Sequence, residues 1–144
     1  MKISFFGHRK LNDLKEIKEK VTVILDEIIK NNTLVEFFCG SYGNFDSVCY
    51  SIAKNFKNKN QNIKITFVTP YIDDSYLRNI NSNMYDEIVY PPIENSPKRL
   101  AIIKRNEWII NESDLIIFYV KNNFGGAYTA LQYSKRKNKR IINI

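Results

Sequence analysis

Histidine, cysteine and long apolar runs are scarce in this chain of 144 residues, and each scarcity narrows what the protein can be. The two cysteines, Cys39 and Cys49, have no metal-like spacing to each other or to the single histidine, His8. We therefore expect buried thiols, with no disulfide framework, no metal site and no cofactor. No apolar stretch approaches the roughly 20 residues that cross a bilayer, and the first residues run straight into a strand pattern. This predicts a cytoplasmic protein without a membrane partner.

Glycine is also scarce, and all five glycines lie where a predicted strand turns into a helix. They are Gly7, Gly40, Gly43, Gly125 and Gly126. A turn often needs glycine for steric reasons alone, but glycine also lets backbone amides come close to phosphate oxygens. Because the five residues share one kind of turn, we expect them to border one pocket.

The chain is basic, with a net charge of +7 and a pI near 9.4. Such a charge fits nucleic acid, an anionic small ligand, or simply a composition rich in lysine and asparagine. Much of the excess lies in "KRLAIIKR", residues 98–105, and in "SKRKNKR", residues 134–140. The second segment has no interleaved aromatic residues, so it is interpreted as the solvated face of a last helix. On this ground nucleic acid is not expected as a partner.

Apolar runs alternate with segments of helical periodicity, which is typical of parallel strands joined by crossover helices. The predicted strands are "KISFFG", "LVEFFCG", "IKITFVTP", "EIVY", "DLIIFYV" and "RIINI". Helices are predicted over 14–30, 45–56, 96–112 and 127–137, with a long loop or short irregular helix within 71–86. The sequence thus predicts one α/β domain over residues 1–144, a Rossmann-like open parallel sheet with helices on both faces.

Four loops with unusual residues follow strands of this predicted sheet. They are "GHR", "GSYGNFD", "TPY" and "GG", after the first, second, third and fifth strands. In open parallel sheets, ligands bind beyond the carboxyl ends of the strands, where free N–H groups of helix N-termini attract anions. We therefore expect the four loops to form one pocket for an anionic ligand.

The residue types suggest ligand-binding roles within this pocket, and each residue also has a purely structural alternative. Arg9 and Arg105 are suited to phosphates, as against solvated arginines or ion pairs. His8 can bond a phosphate or ribose hydroxyl, although a histidine in a turn is more often structural. Asp46 is a helix cap or a contact to ribose or base, and Trp108 is expected in the core. The candidate ligand-binding residues are Gly7, His8, Arg9, Gly40, Ser41, Tyr42, Gly43, Asp46, Thr69, Tyr71, Arg105, Gly125, Gly126, Ala127, Thr129 and Gln132.

Four blocks together resemble the SLOG superfamily, which joins the Smf/DprA and LOG groups. They are "FFGHR", "GSYGNFDS", "RLAIIKRNEWIINESDLIIFYV" and "GGAYTALQYSKRKNKRIINI", and they span essentially the whole chain. The order and spacing of the last two are the most specific part of the resemblance, which is nearest to short single-domain bacterial members. It implies a Rossmann-like fold, a pocket for nucleoside phosphates or ADP-ribose-type ligands, and a homo-oligomer, a dimer or higher. Some members hydrolyse N-glycosidic bonds and others only bind.

The LOG enzymes carry a Pro-Gly-Gly turn, a Gly-Thr pair and a glutamate on the following helix. By resemblance, Gly125 and Gly126 match the glycine pair and Thr129 the threonine, while Phe124 replaces the proline and Tyr128 the second glycine. Gln132 stands where the glutamate is expected.

A carboxylate stabilises the oxocarbenium-like transition state of glycoside cleavage, and a neutral amide cannot replace that charge. Arg105 matches a LOG arginine that accompanies catalysis. We therefore predict a nucleotide-binding protein that acts as a sensor, a sequestering protein or an accessory protein. The alternative is a phosphoribohydrolase, with Arg105 and Gln132 as catalytic candidates or with its carboxylate moved to Asp46 or Glu107. Single-stranded DNA binding is the least favoured alternative.

Overall fold

The computed structural model describes all residues from 1 to 144 and contains one six-stranded sheet in which every neighbouring pair is parallel. The strands are β1 (Lys2–Gly7), β2 (Val35–Cys39), β3 (Ile63–Val68), β4 (Glu87–Val89), β5 (Leu115–Tyr119) and β6 (Arg140–Asn143). The helices are α1 (Leu14–Lys30), α2 (Gly43–Lys57), α3 (Asp74–Asn81), α4 (Ala101–Glu112) and α5 (Gly126–Arg136). The predicted Rossmann-like α/β fold is confirmed.

The strand order is β4-β3-β2-β1-β5-β6, so the chain moves outward from β1 to β4 and then returns to the other side of β1. Ile17 and Val48, from α1 and α2, belong to the larger apolar core on one face. Ile110 and Leu131, from α4 and α5, belong to a second core on the other face. The direction of winding therefore changes between β1 and β5, which is the point where open α/β sheets bind their ligands.

Local sequence explains the two best-predicted elements. Helix α1 buries Ile17, Val21, Leu25 and Ile29, which recur every four residues, and its N-cap Asp13 accepts a hydrogen bond from the Glu16 amide at 3.1 Å. This N-cap was predicted because an aspartate oxygen satisfies a free amide of the first turn. Every residue of β5 is buried, as expected for a continuous apolar run in a central strand covered on both faces.

The observed helices differ from the predicted ones at α3 and at the start of α4. The segment predicted as a long loop or short irregular helix, 71–86, contains α3, whose eight residues bury no side chain. Its apolar Leu77 and Ile80 lie three residues apart and are 55% and 51% exposed. Helix α4 is preceded by a 3-10 turn at Lys98–Leu100, since Pro97 has an extended ψ of 134° that keeps it outside the helix.

Two further predictions concern cysteine and membranes. Cys39 and Cys49 are free and buried, as predicted. Burial raises the pKa of both thiols well above its usual value, so they remain protonated in the core. No helix combines the length and the apolar composition that crossing a bilayer requires. No three His, Cys, Asp or Glu side chains lie close enough together to share a metal ion.

Candidate functional site

A cavity of about 410 Å³ lies beyond the carboxyl ends of β1, β2 and β5, at the change in winding direction. Its walls come from the β1–α1 loop, the β2–α2 loop, α4 and the β5–α5 turn. Ten of the sequence-predicted residues line it: Gly7, His8, Arg9, Gly40, Tyr42, Asp46, Arg105, Gly125, Gly126 and Ala127. We call this cavity the rim pocket.

Arg105 reaches from α4 across the end of the sheet and is only 2% exposed. Its Nη1 donates to the carbonyl oxygens of Gly40, at 3.1 Å, and Val68, at 2.9 Å. A Cβ on Gly40 would lie 2.5 Å from that Nη1, so a larger residue at this position would displace the Arg105 guanidinium from its hydrogen bonds. The guanidinium carbon also lies 5.0 Å from the centre of the Tyr42 ring, a cation–π distance. Arg105 thus holds the ends of β2 and β3 and the first residues of the β2–α2 loop.

Asp46 lies in the first turn of α2, and its Oδ2 accepts a hydrogen bond from the Tyr42 amide at 3.0 Å. Burial raises the pKa of Asp46 to about 6, although the Tyr42 amide and the charge of Arg105 act in the opposite direction. Burial likewise lowers the pKa of Arg105, although the carboxylate of Asp46 opposes this. For both residues, loss of hydration therefore outweighs their mutual attraction, which is a common property of functional sites.

Two buried atoms of this pair have no hydrogen-bond partner in the chain. They are Oδ1 of Asp46 and Nε of Arg105, and both residues line the rim pocket. Buried polar groups nearly always have partners, because an unpaired one costs about 1–3 kcal/mol. The pair therefore leaves one acceptor and one donor unsatisfied beside the pocket.

His8 joins two loops of the pocket. Its Nε2 accepts hydrogen bonds from the backbone amides of Lys121, at 2.8 Å, and Asn122, at 3.2 Å. With Nε2 used as an acceptor, the ring carries its proton on Nδ1 in this arrangement. His8 therefore holds the loops after β1 and β5 together, which is the structural role that a histidine in a turn more often has.

Arg9 is exposed at the edge of the rim pocket and forms no ion pair within the chain. Its backbone supports the start of α2: its carbonyl accepts the Asn44 amide at 3.2 Å, and its Cα would be 3.0 Å from a Cβ on Gly43. Gly43 also has a φ of +86°, a conformation that favours glycine. Gly43 thus supports the pocket from behind, while the guanidinium of Arg9 is free to meet an anion.

The first turn of α5 forms the opposite wall. Gly125 has a φ of +91°, and nothing lies within 4 Å of where a Cβ would stand on Gly125 or Gly126. The first amides of a helix have no partner inside the helix and attract anions. Phe124 precedes this turn and is 73% exposed at the edge of the pocket.

Sequence reasoning missed seven lining residues: Phe5, Phe6, Phe38, Ile102, Asn106, Ile109 and Phe124. Most are apolar and look like ordinary core residues in a sequence. Phe124 could have been found, because an aromatic residue between two asparagines and two glycines has little chance of burial. Trp108 was expected in the core, but it is only half-buried, at the edge of a small apolar cluster, where it packs on the Phe38 ring with ring centres 5.8 Å apart.

Six predicted residues do not line the rim pocket: Ser41, Gly43, Thr69, Tyr71, Thr129 and Gln132. The hydroxyl of Thr69 donates to the Tyr71 carbonyl at 2.8 Å, so the loop after β3 closes on itself. Thr129 and Gln132 lie further along α5, where the 3.6-residue turn has carried their side chains away from the pocket. The pocket is therefore formed by three loops and α4, and the loop after β3, which we expected as the fourth, is not part of it.

Comparison with known proteins supports the fold. No protein-family model matches the chain. A solved structure of DNA processing protein A from Helicobacter pylori matches 98% of this chain with a TM-score of 0.62 and 18% sequence identity. The chain shares that fold. It spans 63% of the length of the Helicobacter chain. The likeness confirms the Rossmann-like fold that the predicted resemblance implied.

A curated relative is the uncharacterized SPbeta prophage-derived protein YoqJ of Bacillus subtilis (strain 168). It is 23% identical over 142 residues, with 84% of this chain and 81% of the relative covered. The alignment therefore spans most of both chains.

We predicted a small nucleotide and a second copy of the chain as partners, and we expected no nucleic acid. The expectation about nucleic acid is wrong. The Helicobacter protein of the same fold binds single-stranded DNA. The prediction rested on the basic segment 134–140, which has no interleaved aromatic residues. In the structure the exposed aromatic side chains lie instead at the rim pocket, where Tyr42 is 39% and Phe124 73% exposed. They come from different loops, so no single segment of sequence contains the pattern.

Proposed function

We propose that the rim pocket binds a nucleotide ligand, and that residues 1–144 form a nucleotide-binding domain of the SLOG type. The observation that carries this proposal is the pair Asp46 and Arg105. The pair has an unpartnered buried acceptor and donor in a cavity at the change in winding direction. A ligand with both donor and acceptor groups would satisfy the two atoms.

The phosphate of such a nucleotide would bind between Arg9 and the first turn of α5. The free amides of Gly126 and Ala127 and the open space over Gly125 suit a phosphate there. Arg9 supplies a guanidinium that forms bidentate bonds with phosphate oxygens. Arg105 has a different role, because its Nη1 is occupied by two carbonyl oxygens, so we assign it to holding the β2–α2 loop in place.

The base and ribose would be held by Tyr42, Phe124 and Asp46. Tyr42 and Phe124 are exposed aromatic rings on two sides of the pocket, and rings of this kind stack on bases. Oδ1 of Asp46 would accept a hydrogen bond from a ribose hydroxyl or a base amino group. The biological use would be that of a sensor, a sequestering protein or an accessory protein.

Binding of purified protein to nucleotides, measured by calorimetry, tests the proposal. We expect one class among nucleoside mono- and diphosphates and ADP-ribose to bind, and Arg9→Ala to weaken that binding roughly 10- to 100-fold, since a hydrogen bond to a charged group is worth about 1.5–3 kcal/mol. Lys10→Ala is the matched control, because Lys10 is the adjacent exposed cation and does not line the pocket.

Absence of binding by every nucleotide, or equal loss in both variants, would refute the proposal. Chromatography of the same mixtures for released base addresses the LOG-like hydrolase alternative. That alternative is less supported because Gln132 does not line the pocket, although Asp46 offers a carboxylate there.

Single-stranded DNA is a second candidate ligand of the same pocket, favoured by the shared fold, the net charge of +7 and the exposed rings. We expect affinity for a labelled single strand, followed by anisotropy, to fall with salt by a logarithmic slope of about −0.7 per phosphate contacted. Phe124→Ala should cost about 1–3 kcal/mol of binding, whereas Phe124→Tyr keeps the stacking ring and serves as control. An affinity that changes neither with salt concentration nor with the Phe124→Ala substitution would exclude this candidate.

A further inference from the structure

A second cavity, of about 260 Å³, lies between α4 and α5 directly beside the rim pocket. The two cavities share three wall residues, Ile102, Asn106 and Gly126. The first turn of α5 therefore borders both of them. We call the second cavity the helix cleft.

The walls of the helix cleft suit a flat, mainly apolar group. Ile103, Ile110 and Ala130 provide aliphatic surface, with Ile103 43% exposed. Apolar side chains of this kind cover the faces of aromatic ligands, while a few polar groups fix their orientation.

One polar group stands between the cavities. Asn106 lines both, is half-buried, and its side-chain amide makes no hydrogen bond within the chain. An amide offers a donor and an acceptor together, which matches the paired donor and acceptor on the edge of a base. The two charged residues at the cleft already have partners: Glu107 accepts from Lys104 at 2.9 Å, and Arg136 lies over the ring of Tyr133, another residue of the cleft wall.

From this arrangement we infer that the ligand consists of two nucleoside units joined by a phosphate bridge. The first unit occupies the rim pocket, the bridge lies at the first turn of α5, and the second base enters the helix cleft beside Asn106. The inference rests on the proposed function and adds the ligand class. A free dinucleotide and two consecutive residues of a single strand both have this chemistry.

Calorimetry with a graded series of ligands tests the inference. The series is an adenosine mononucleotide, a phosphodiester-linked adenosine dinucleotide, a pyrophosphate-linked one, and an adenine single strand of about eight residues. We expect a two-unit ligand to bind wild-type protein about 10-fold or more tightly than the mononucleotide, because stacking of a second base contributes about 1–3 kcal/mol.

Thr129→Trp and Ile103→Trp should each remove this gain. Ile103→Trp should also leave mononucleotide affinity unchanged, because Ile103 lines only the helix cleft, whereas the Thr129 hydroxyl donates to the Gly125 carbonyl at 3.1 Å. Thr129 is exposed on α5 and lines the helix cleft but not the rim pocket. The matched control is Thr22→Trp, at an exposed threonine of α1 on the other face of the sheet. Ile103→Trp fills the same cleft from α4, so the result does not depend on one helix.

The outcomes separate the inference from the proposed function. The inference fails and the proposed function stands in two cases. In the first, mononucleotides bind but no two-unit ligand binds more tightly than they do; in the second, the tighter binding of a two-unit ligand survives both tryptophan substitutions. If no nucleotide binds at all, both fail. A cleft-dependent gain supports the inference, and the ligand that shows it, a free dinucleotide or the single strand, identifies the source.

Discussion

Arg105→Met is expected to lower the free energy of unfolding by about 2–4 kcal/mol, since two carbonyls lose a buried donor and a buried group without its partner costs about 1–3 kcal/mol. Methionine fills much of the same space but donates no hydrogen bond. The carbonyls of Gly40 and Val68 would lose their shared donor, and Asp46 would lose the positive charge that opposes its burial. The ends of β2 and β3 and the β2–α2 loop would lose their common support.

Denaturant unfolding followed by circular dichroism measures this effect. Arg99→Met is the matched control, since Arg99 is exposed in the 3-10 turn before α4 and should change stability by no more than about 0.5 kcal/mol. In an Asp46→Asn background the same Arg105→Met change should cost less, because no buried carboxylate is left without its partner charge. A loss below about 1 kcal/mol would contradict a supporting role for Arg105.

Between pH 4 and pH 8, the difference in unfolding free energy between Asp46→Asn and wild type is expected to shift in favour of the variant by about 3 kcal/mol at most. In the folded protein the pKa of Asp46 is about 6, against an ordinary value of 3.8, so the folded state holds this proton more strongly than the unfolded chain. The contribution of Asp46 to the free energy of unfolding is therefore largest below pH 4 and is lost as the pH rises through 6. Asparagine does not ionise, so the variant avoids that loss.

Unfolding of wild type and variant at pH 4, 6 and 8 measures the difference. Asp74→Asn, at an exposed carboxylate of α3, is the control, and its difference from wild type should vary little over this range. A pH-independent difference for Asp46→Asn would contradict a buried, reluctantly ionised carboxyl. If Asp46 also contacts the ligand, the variant should lose less stability than wild type between pH 4 and pH 8 and yet bind nucleotide more weakly, a common opposition at functional sites.

Prediction from sequence succeeded where the signal is local. Helix α1 was predicted with its observed ends, because a four-residue apolar period and the N-cap Asp13 lie within the helix itself or next to it. The buried run of β5 was equally visible. Helix α3 was left open as a loop or a short helix, because Leu77 and Ile80 are too few apolar positions over eight residues to establish a helical period.

The candidate site was predictable in outline for a similar reason. Carboxyl ends of parallel strands meet at one edge of a sheet, so the glycine turns after β1, β2 and β5 were expected to lie together. The sequence could not exclude Thr69 and Tyr71, since their closing hydrogen bonds depend on backbone geometry. Nor could it exclude Thr129 and Gln132, whose direction depends on how α5 is rotated against the sheet.

The sequence by itself thus determined the order of strands and helices along the chain and the edge of the sheet at which the glycine turns meet, because these depend on short-range periodicity and on where strands end. Only the tertiary structure decided that Arg105 crosses from α4 to the ends of β2 and β3, and that Phe124 and Tyr42 face one cavity. It also decided that the helix cleft adjoins that cavity. Those features depend on which strand ends are neighbours and on contacts between residues far apart in the chain, and neither property is contained in any single segment.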